Sequence, residues 1–252
     1  MRKLLEHARV AEGLYYLSVV DNTFEEAYLG IRTKENRVYT NEELGQLPEK
    51  ASRHVREWQL RQESADHLVK YLQANPKNTI LEVGCGNGWL AHRVCNKTVS
   101  EVWALDLNEP ELKQGAKVYH NKNLKFVYGD IFDSSFEVFK AKFDLIYLAA
   151  SIQYFPELSL VLNRLKQFLS AQGEIHILDS PFYTNTTRAA AKQRSKTYYE
   201  ELGFPEMVPY YHHHTWETIK ALGGEVLYKS SRWQKLLGKR KSPFPWIKLT
   251  NK

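Results

Sequence analysis

Residues 79–91 read TILEVGCGNGWLA. Ile80, Leu81 and Val83 form a short apolar run, the size of one buried strand. Gly84, Gly86 and Gly88 follow at alternate positions, and Trp89, Leu90 and Val94 then recur at helical spacing. A strand, a glycine turn and a helix in direct succession predict the first half of a βαβ unit. Glycine suits such a turn because it takes positive φ and lets a ligand approach the backbone. The helix N-terminus behind the turn offers free N–H groups. The spacing is not the dinucleotide fingerprint G-x-G-x-x-G, whose last glycine would fall where Trp89 stands.

Outward from this stretch the chain alternates regularly. Strands are expected at 101–106, 124–128, 143–148, 174–178 and 225–228, with a last one at 244–249. Helices are expected at 110–119, 158–169 and 216–222. The run FDLIYL is apolar almost throughout, as a parallel strand covered on both faces should be. Gly173 stands where a stop for the helix at 158–169 is expected. Strands separated by helices predict an α/β, doubly wound, mostly parallel sheet.

Upstream, residues 1–20 read as helical, with Leu4, Leu5, Ala8 and Val10 on a loose apolar face. Residues 21–50 are polar and turn-rich, with a short helix capped by Thr40 or Asn41. A longer helix is expected over 52–73, because Val55, Trp58, Gln62, Ala65, Val69 and Leu72 follow steps of three and four. It stops before Pro76. Residues 1–75 thus read as an N-terminal helical cap, and 76–252 as the main domain.

Three acids end predicted strands: Glu82, Asp106 and Asp130. Asp106 lies 22 residues after Gly84, near the offset at which an acidic side chain receives ribose hydroxyls in nucleotide-binding α/β folds. A carboxylate suits that task because its two oxygens can accept from two vicinal hydroxyls. Ligands of such sheets bind at the C-terminal strand ends, where all three acids fall.

The pattern Glu82-x-Gly84-x-Gly86-x-Gly88 closely resembles the first motif of the class I S-adenosylmethionine (SAM)-dependent methyltransferases. A nucleoside with a methionine tail has no pyrophosphate to seat on a helix N-terminus. It carries an ammonium and a sulfonium, which explains an acidic residue on the strand. The resemblance covers residues 70–180 well and 215–250 loosely. It implies a Rossmann-like seven-stranded sheet closed by an antiparallel hairpin. It places SAM, or S-adenosylhomocysteine (SAH) as product, among Glu82, Gly84, Cys85, Gly86, Asp106, Leu107, Asp130 and Ile131. Asp130 would receive the adenine amino group, with Ile131 against the ring.

Residues 181–216 break the rhythm and hold eight aromatic side chains with His212, His213 and His214. This insertion follows the fifth main-domain strand, so it starts beside the cofactor edge and is expected to form a lid. Its aromatics suit an apolar pocket and a cationic sulfonium. Tyr154, His213 and His214 are the candidate catalytic groups, a histidine being able to take a proton from a hydroxyl or amine. The helix at 52–73 is expected at the mouth of the cofactor site, with Trp58 or Arg61 reaching the methionine end, because sequential elements tend to be neighbours.

Charge and cysteine usage narrow the function. Residues 181–252 hold 13 Lys/Arg against 5 Asp/Glu and the remainder 22 against 24, so the net charge of +6 comes entirely from the C-terminal part. A solvated surface with a basic loop at Lys239–Lys241 accounts for it, without a nucleic-acid partner. Apolar runs are too short for a membrane span. Cys85 and Cys95 form no C-x-x-C pair, so neither a disulfide framework nor a metal site is expected, and a cytoplasmic setting fits. The leading expectation is a SAM-dependent methyltransferase acting on a small molecule by in-line displacement. RNA or protein as acceptor, or a SAM-binding protein without turnover, are the competing readings.

Overall fold

The computed structural model describes residues 8–21, 23–229 and 242–251; the basic tripeptide at 239–241 and Leu4 and Leu5 lie outside them. The chain opens with β1 (Arg9–Ala11) and β2 (Leu14–Tyr16), then α1 (Thr23–Lys34), α2 (Asn41–Gly45) and α3 (Val55–Ala74). The main domain follows as β3 (Thr79–Val83), α4 (Trp89–Lys97), β4 (Glu101–Asp106), α5 (Glu109–Val118), β5 (Leu124–Tyr128), β6 (Phe143–Ala149), α6 (Leu158–Phe168) and β7 (Leu169–Leu178). The insertion carries α7 (Asn185–Leu202) and a 3-10 turn at Pro205–Tyr210. The chain returns through α8 (Trp216–Ala221), β8 (Glu225–Tyr228) and β9 (Trp246–Thr250).

The strand order is β1-β2-β5-β4-β3-β6-β7-β9-β8. Strands β2 to β7 run parallel, and β9 is antiparallel to both β7 and β8. The order reverses at β3, so the crevice above β3 and β6 is the place where such sheets bind ligands. Ile80 on β3 packs into one apolar layer with Leu68, Leu90 and Leu112. Its neighbours Leu81 and Val83 pack into the other with Phe139, Leu162 and Phe168. Alternate side chains of the central strand therefore feed both layers.

Four sequence expectations change. The expected N-terminal helix is a hairpin over the described residues, which brings the sheet to nine strands rather than seven. Glu12 and Gly13 both have positive φ, the geometry of a two-residue hairpin turn, and Leu14 and Tyr16 alternate inward along β2. The N-terminal part thus extends the sheet through β1 and β2. Within the stretch read as polar and turn-rich, α1 forms, because Phe24, Tyr28 and Ile31 share one apolar face. Gly173 does not stop a helix; it sits inside β7, where a Cβ would lie 2.8 Å from the Phe143 carbonyl oxygen. The insertion contains an 18-residue helix, α7, started by a capping box at Thr184 and Thr187 and ended at Gly203.

Candidate functional site

The C-terminal ends of β3, β4, β5, β6 and β7 open into one cavity of about 310 Å³. Its floor begins with Glu82, which is buried and accepts a hydrogen bond from the Tyr147 hydroxyl at 2.9 Å. Burial pushes its carboxyl up to about 8, against the pull of the Tyr147 hydroxyl and the backbone at Ala91. At Gly84, φ is +76° and a Cβ would sit 2.4 Å from Ser151 Cβ, so only glycine fits between β3 and the loop after β6. Ser151 closes this contact by donating to the Val83 carbonyl at 2.6 Å.

Asp106 organises the glycine loop. Its Oδ2 accepts from the Gly86 N–H at 2.6 Å and its Oδ1 from the Asn108 N–H at 2.8 Å. Burial pushes its carboxyl up to about 6, the Gly86 N–H opposing this and Glu111 adding to it. A carboxylate has about four acceptor sites, so two hydrogen bonds leave capacity for hydroxyls of a ligand. Asp130 is anchored alongside: its N–H donates to Ser18 Oγ at 3.0 Å and its Oδ1 accepts from the Phe132 N–H at 2.9 Å. Leu107 and Ile131 complete this end of the cavity.

The roof comes from distant chain segments. Phe24, Tyr28 and Arg32 of α1, Glu57, Trp58 and Arg61 of α3, and Tyr210 of the insertion line the cavity. Phe24 makes an edge contact with Tyr210 at 5.2 Å and with Tyr154 at 5.7 Å, and Tyr28 meets Tyr154 at 5.8 Å. Burial raises the Tyr154 hydroxyl well above its ordinary range and pushes Tyr28 up to about 12. Burial opposes the Arg32 charge, but Tyr28 and Glu111 outweigh it and its pKa is raised. Arg32 reaches Glu111 at 3.4 Å, and its Nε is buried with no hydrogen-bond partner among the described residues. Glu57 is flanked by Arg37 at 2.6 Å and Arg61 at 3.0 Å. Burial acts to raise its carboxyl, and the two guanidiniums overcome that and lower it.

All eight residues expected around the cofactor, and Tyr154, line this one cavity. Trp58 and Arg61 do so as well. His213 and His214 are not among its lining residues. His213 is 2% exposed, bonded to Ser195 Oγ at 2.9 Å and held between the Tyr183 and Tyr211 rings. Burial pushes it down to about 4. His214 bonds the Ile152 carbonyl at 3.0 Å and His212 donates its backbone N–H to the Gln153 carbonyl at 2.7 Å. The histidine run fastens the insertion to the loop after β6 instead of facing the cavity. Sequence reasoning missed Phe24, Tyr28 and Arg32; their i, i+4, i+8 spacing was the available signal. It also gave Asp179 no role, although this residue ends β7 on the cavity wall.

The donor set tests what the cavity can hold. Six carboxyl side chains, Glu57, Glu82, Asp106, Glu111, Asp130 and Asp179, face three guanidiniums, Arg32, Arg37 and Arg61. This fits a ligand with two cationic centres and one carboxylate, as SAM has, and does not fit a dinucleotide pyrophosphate. The parallel sheet reversing at β3, the glycine loop and the strand-end acids together define a class I methyltransferase fold.

Comparison with known proteins agrees. A family profile described as a methyltransferase domain matches residues 74–238, and the chain belongs to this family of SAM-dependent methyltransferases. It is 25% identical over 195 residues to a sterol 24-C-methyltransferase of Debaryomyces hansenii, spanning 74% of this chain and 49% of that protein. It is 30% identical over 115 residues to a malonyl-[acyl-carrier protein] O-methyltransferase of Priestia megaterium, spanning 44% of this chain and 41% of that protein. The chain spans about half the length of the curated relatives it matches. Among solved structures, magnesium protoporphyrin IX methyltransferase of Synechocystis PCC 6803 with bound SAH superposes with a TM-score of 0.57 at 13% identity, covering 92% of this chain and 98% of that one. That similarity is one of fold.

Proposed function

We propose that this protein transfers the methyl group of SAM to a small-molecule acceptor by direct displacement. The observation that carries this is the single cavity in which the glycine loop and three strand-end acids meet an aromatic roof. In this reading Asp106 takes the ribose hydroxyls, Asp130, Leu107 and Ile131 take the adenine, and Glu82 with the backbone of Gly84 to Gly86 faces the methionine end. SAM supplies the methyl group on a positively charged sulfur. The protein's own part is to hold acceptor and methyl donor in line, which can account for much of such a rate enhancement. The aromatic rings of Phe24, Tyr28, Tyr154 and Tyr210 in the roof favour a cationic sulfonium. A cavity of about 310 Å³ roofed by aromatic side chains favours a small acceptor over a polymer in this reading.

Two measurements test this. Calorimetry with SAH and with NAD should show binding of SAH and none of NAD; the reverse would overturn the reading. Radiolabelled SAM incubated with small-molecule amines, phenols and carboxylates should label a small product. Labelling confined to RNA or protein would overturn the small-molecule acceptor.

A further inference from the structure

A second cavity, of about 610 Å³, lies against the first. The two share a wall formed by Glu57, Arg61, Ala150 and Asp179. Beyond the wall the lining is mainly apolar, with Val55, Leu60, Pro243 and Phe244, and includes His54 and Arg56.

Two neighbouring residues of this wall have unusual backbones. Ala150 has φ +56° and Asp179 has φ +52°. Non-glycine residues seldom take this left-handed conformation, and they keep it only where the surroundings enforce it. Here the surroundings do so. The Ala150 N–H donates to the Leu178 carbonyl at 3.0 Å, and the Ala150 carbonyl accepts from Gln153 Nε2 at 2.6 Å. Ser180 Oγ in turn donates to Gln153 Oε1 at 3.1 Å. From α3, Ser64 Oγ donates to Asp179 Oδ1 at 2.6 Å. The Asp179 carboxylate is thereby fixed through one oxygen, while its Oδ2 accepts no hydrogen bond from the described residues. Strain of this kind, maintained by four hydrogen bonds at the junction of two cavities, marks a side chain whose direction matters.

Building on the methyltransferase reading, we propose that Asp179 faces the transferring methyl and accepts the proton of an N–H or O–H nucleophile that arrives through the second cavity on a largely apolar body. The nucleophile's lone pair forms the new bond to the methyl carbon. The carbon–sulfur bond breaks, its electron pair staying on sulfur to give SAH, and the proton passes from the nucleophile to Asp179 Oδ2. Burial pushes the Asp179 carboxyl up to about 6, against the Ser64 hydrogen bond and the Arg61 charge and aided by Glu57 and Glu63. It is therefore a stronger base than an exposed aspartate, yet mostly ionised at neutral pH. The acceptor class follows from this chemistry: an amine or hydroxyl carries a proton for such a base to accept, whereas a carboxylate nucleophile does not.

The test needs no identified acceptor. Sinefungin is the SAM analogue in which a carbon bearing an amine replaces the methylsulfonium, so its ammonium occupies the position of the methyl. Calorimetry would compare sinefungin with SAH in the wild type and in Asp179→Asn. The expectation is that the wild type binds sinefungin about tenfold more tightly than SAH, as a charge-assisted hydrogen bond provides. In Asp179→Asn that ratio should fall close to one, while SAH affinity changes by less than about threefold. Asp106→Asn should weaken both ligands equally and leave the ratio in place. Ser64→Ala, which only loosens the carboxylate, should reduce the ratio part of the way and serves if Asp179→Asn does not fold. A wild-type ratio near one, or a ratio unchanged in both Asp179→Asn and Ser64→Ala, would overturn the assignment of Asp179 while leaving the cofactor reading intact. Failure of the wild type to bind SAH would instead overturn the cofactor reading itself.

Discussion

The floor and the roof of the main cavity are built in opposite ways. The floor comes from the ends of consecutive strands, and each of its groups is held by neighbours close in sequence or in the adjacent strand: Asp106 by Gly86 and Asn108, Gly84 by Ser151 and the Leu105 carbonyl. The roof joins α1, α3 and the insertion, and its members touch mainly through ring edges, as Phe24 does with Tyr154 and Tyr210. Ring contacts tolerate more displacement than a close-packed backbone turn does. The floor should therefore behave as part of the folding core, and the roof as a separable layer that tunes ligand affinity.

The largest effect should come from Gly84→Ala in the floor. A side chain at φ +76° adds about 1–2 kcal/mol of strain. Overpacking against Ser151 adds about 1–3 kcal/mol. Urea unfolding should show a loss of about 3 kcal/mol, with SAH binding abolished at 25 °C. A loss below about 1 kcal/mol would show that the floor is not rigid in the sense argued. Next, Asp106→Ala should weaken SAH binding by about 1–3 kcal/mol in calorimetry, because it leaves backbone donors and ribose hydroxyls unpaired.

Glu82 sharpens the contrast through pH. Its folded-state pKa, about 8, lies above the ordinary 4.5, so the folded protein keeps this proton where the unfolded chain has lost it. Its contribution is fully present below pH 4.5 and is lost as pH rises through about 8. Relative to Glu82→Gln, the wild type should lose about 2 kcal/mol of stability between about pH 6 and 8, read from paired thermal melts. Parallel curves would contradict the buried position of the group.

Roof substitutions should do less to folding. Phe24→Ala should weaken SAH binding by about 1 kcal/mol, the scale of the ring contacts it removes, with urea stability falling less than in Gly84→Ala. Equal stability losses for the two would merge floor and roof into one unit. The smallest effect belongs to His213→Asn. Because His213 is turned into the insertion and does not line the cavity, SAH affinity at pH 7 should stay within about 0.5 kcal/mol of wild type.

The amino-acid sequence by itself determined the floor. The alternating glycines, the apolar strands and the acids at strand ends are local signals, because a strand that ends in a turn at a sheet edge needs particular residues at particular offsets. The same local logic placed β3 to β6, β8 and most of the helices between them. Where a short segment had two compatible partners, the sequence alone did not decide. Residues 9–16 carry apolar residues that serve a loose helical face or an alternating hairpin equally, and pairing with β5 selects the hairpin. Gly173 looks like a helix stop until Leu169 and the Phe143 carbonyl close on it within β7. The histidine run looks like a reservoir of bases until Ser195, Ile152 and Gln153 take up its polar groups. Only the tertiary structure brought Phe24, Tyr154 and Tyr210 into one roof and set Asp179 at the wall between two cavities. The physical reason is range: turn, cap and strand preferences act over a few residues, whereas the roof depends on which apolar faces remain uncovered once the sheet has formed.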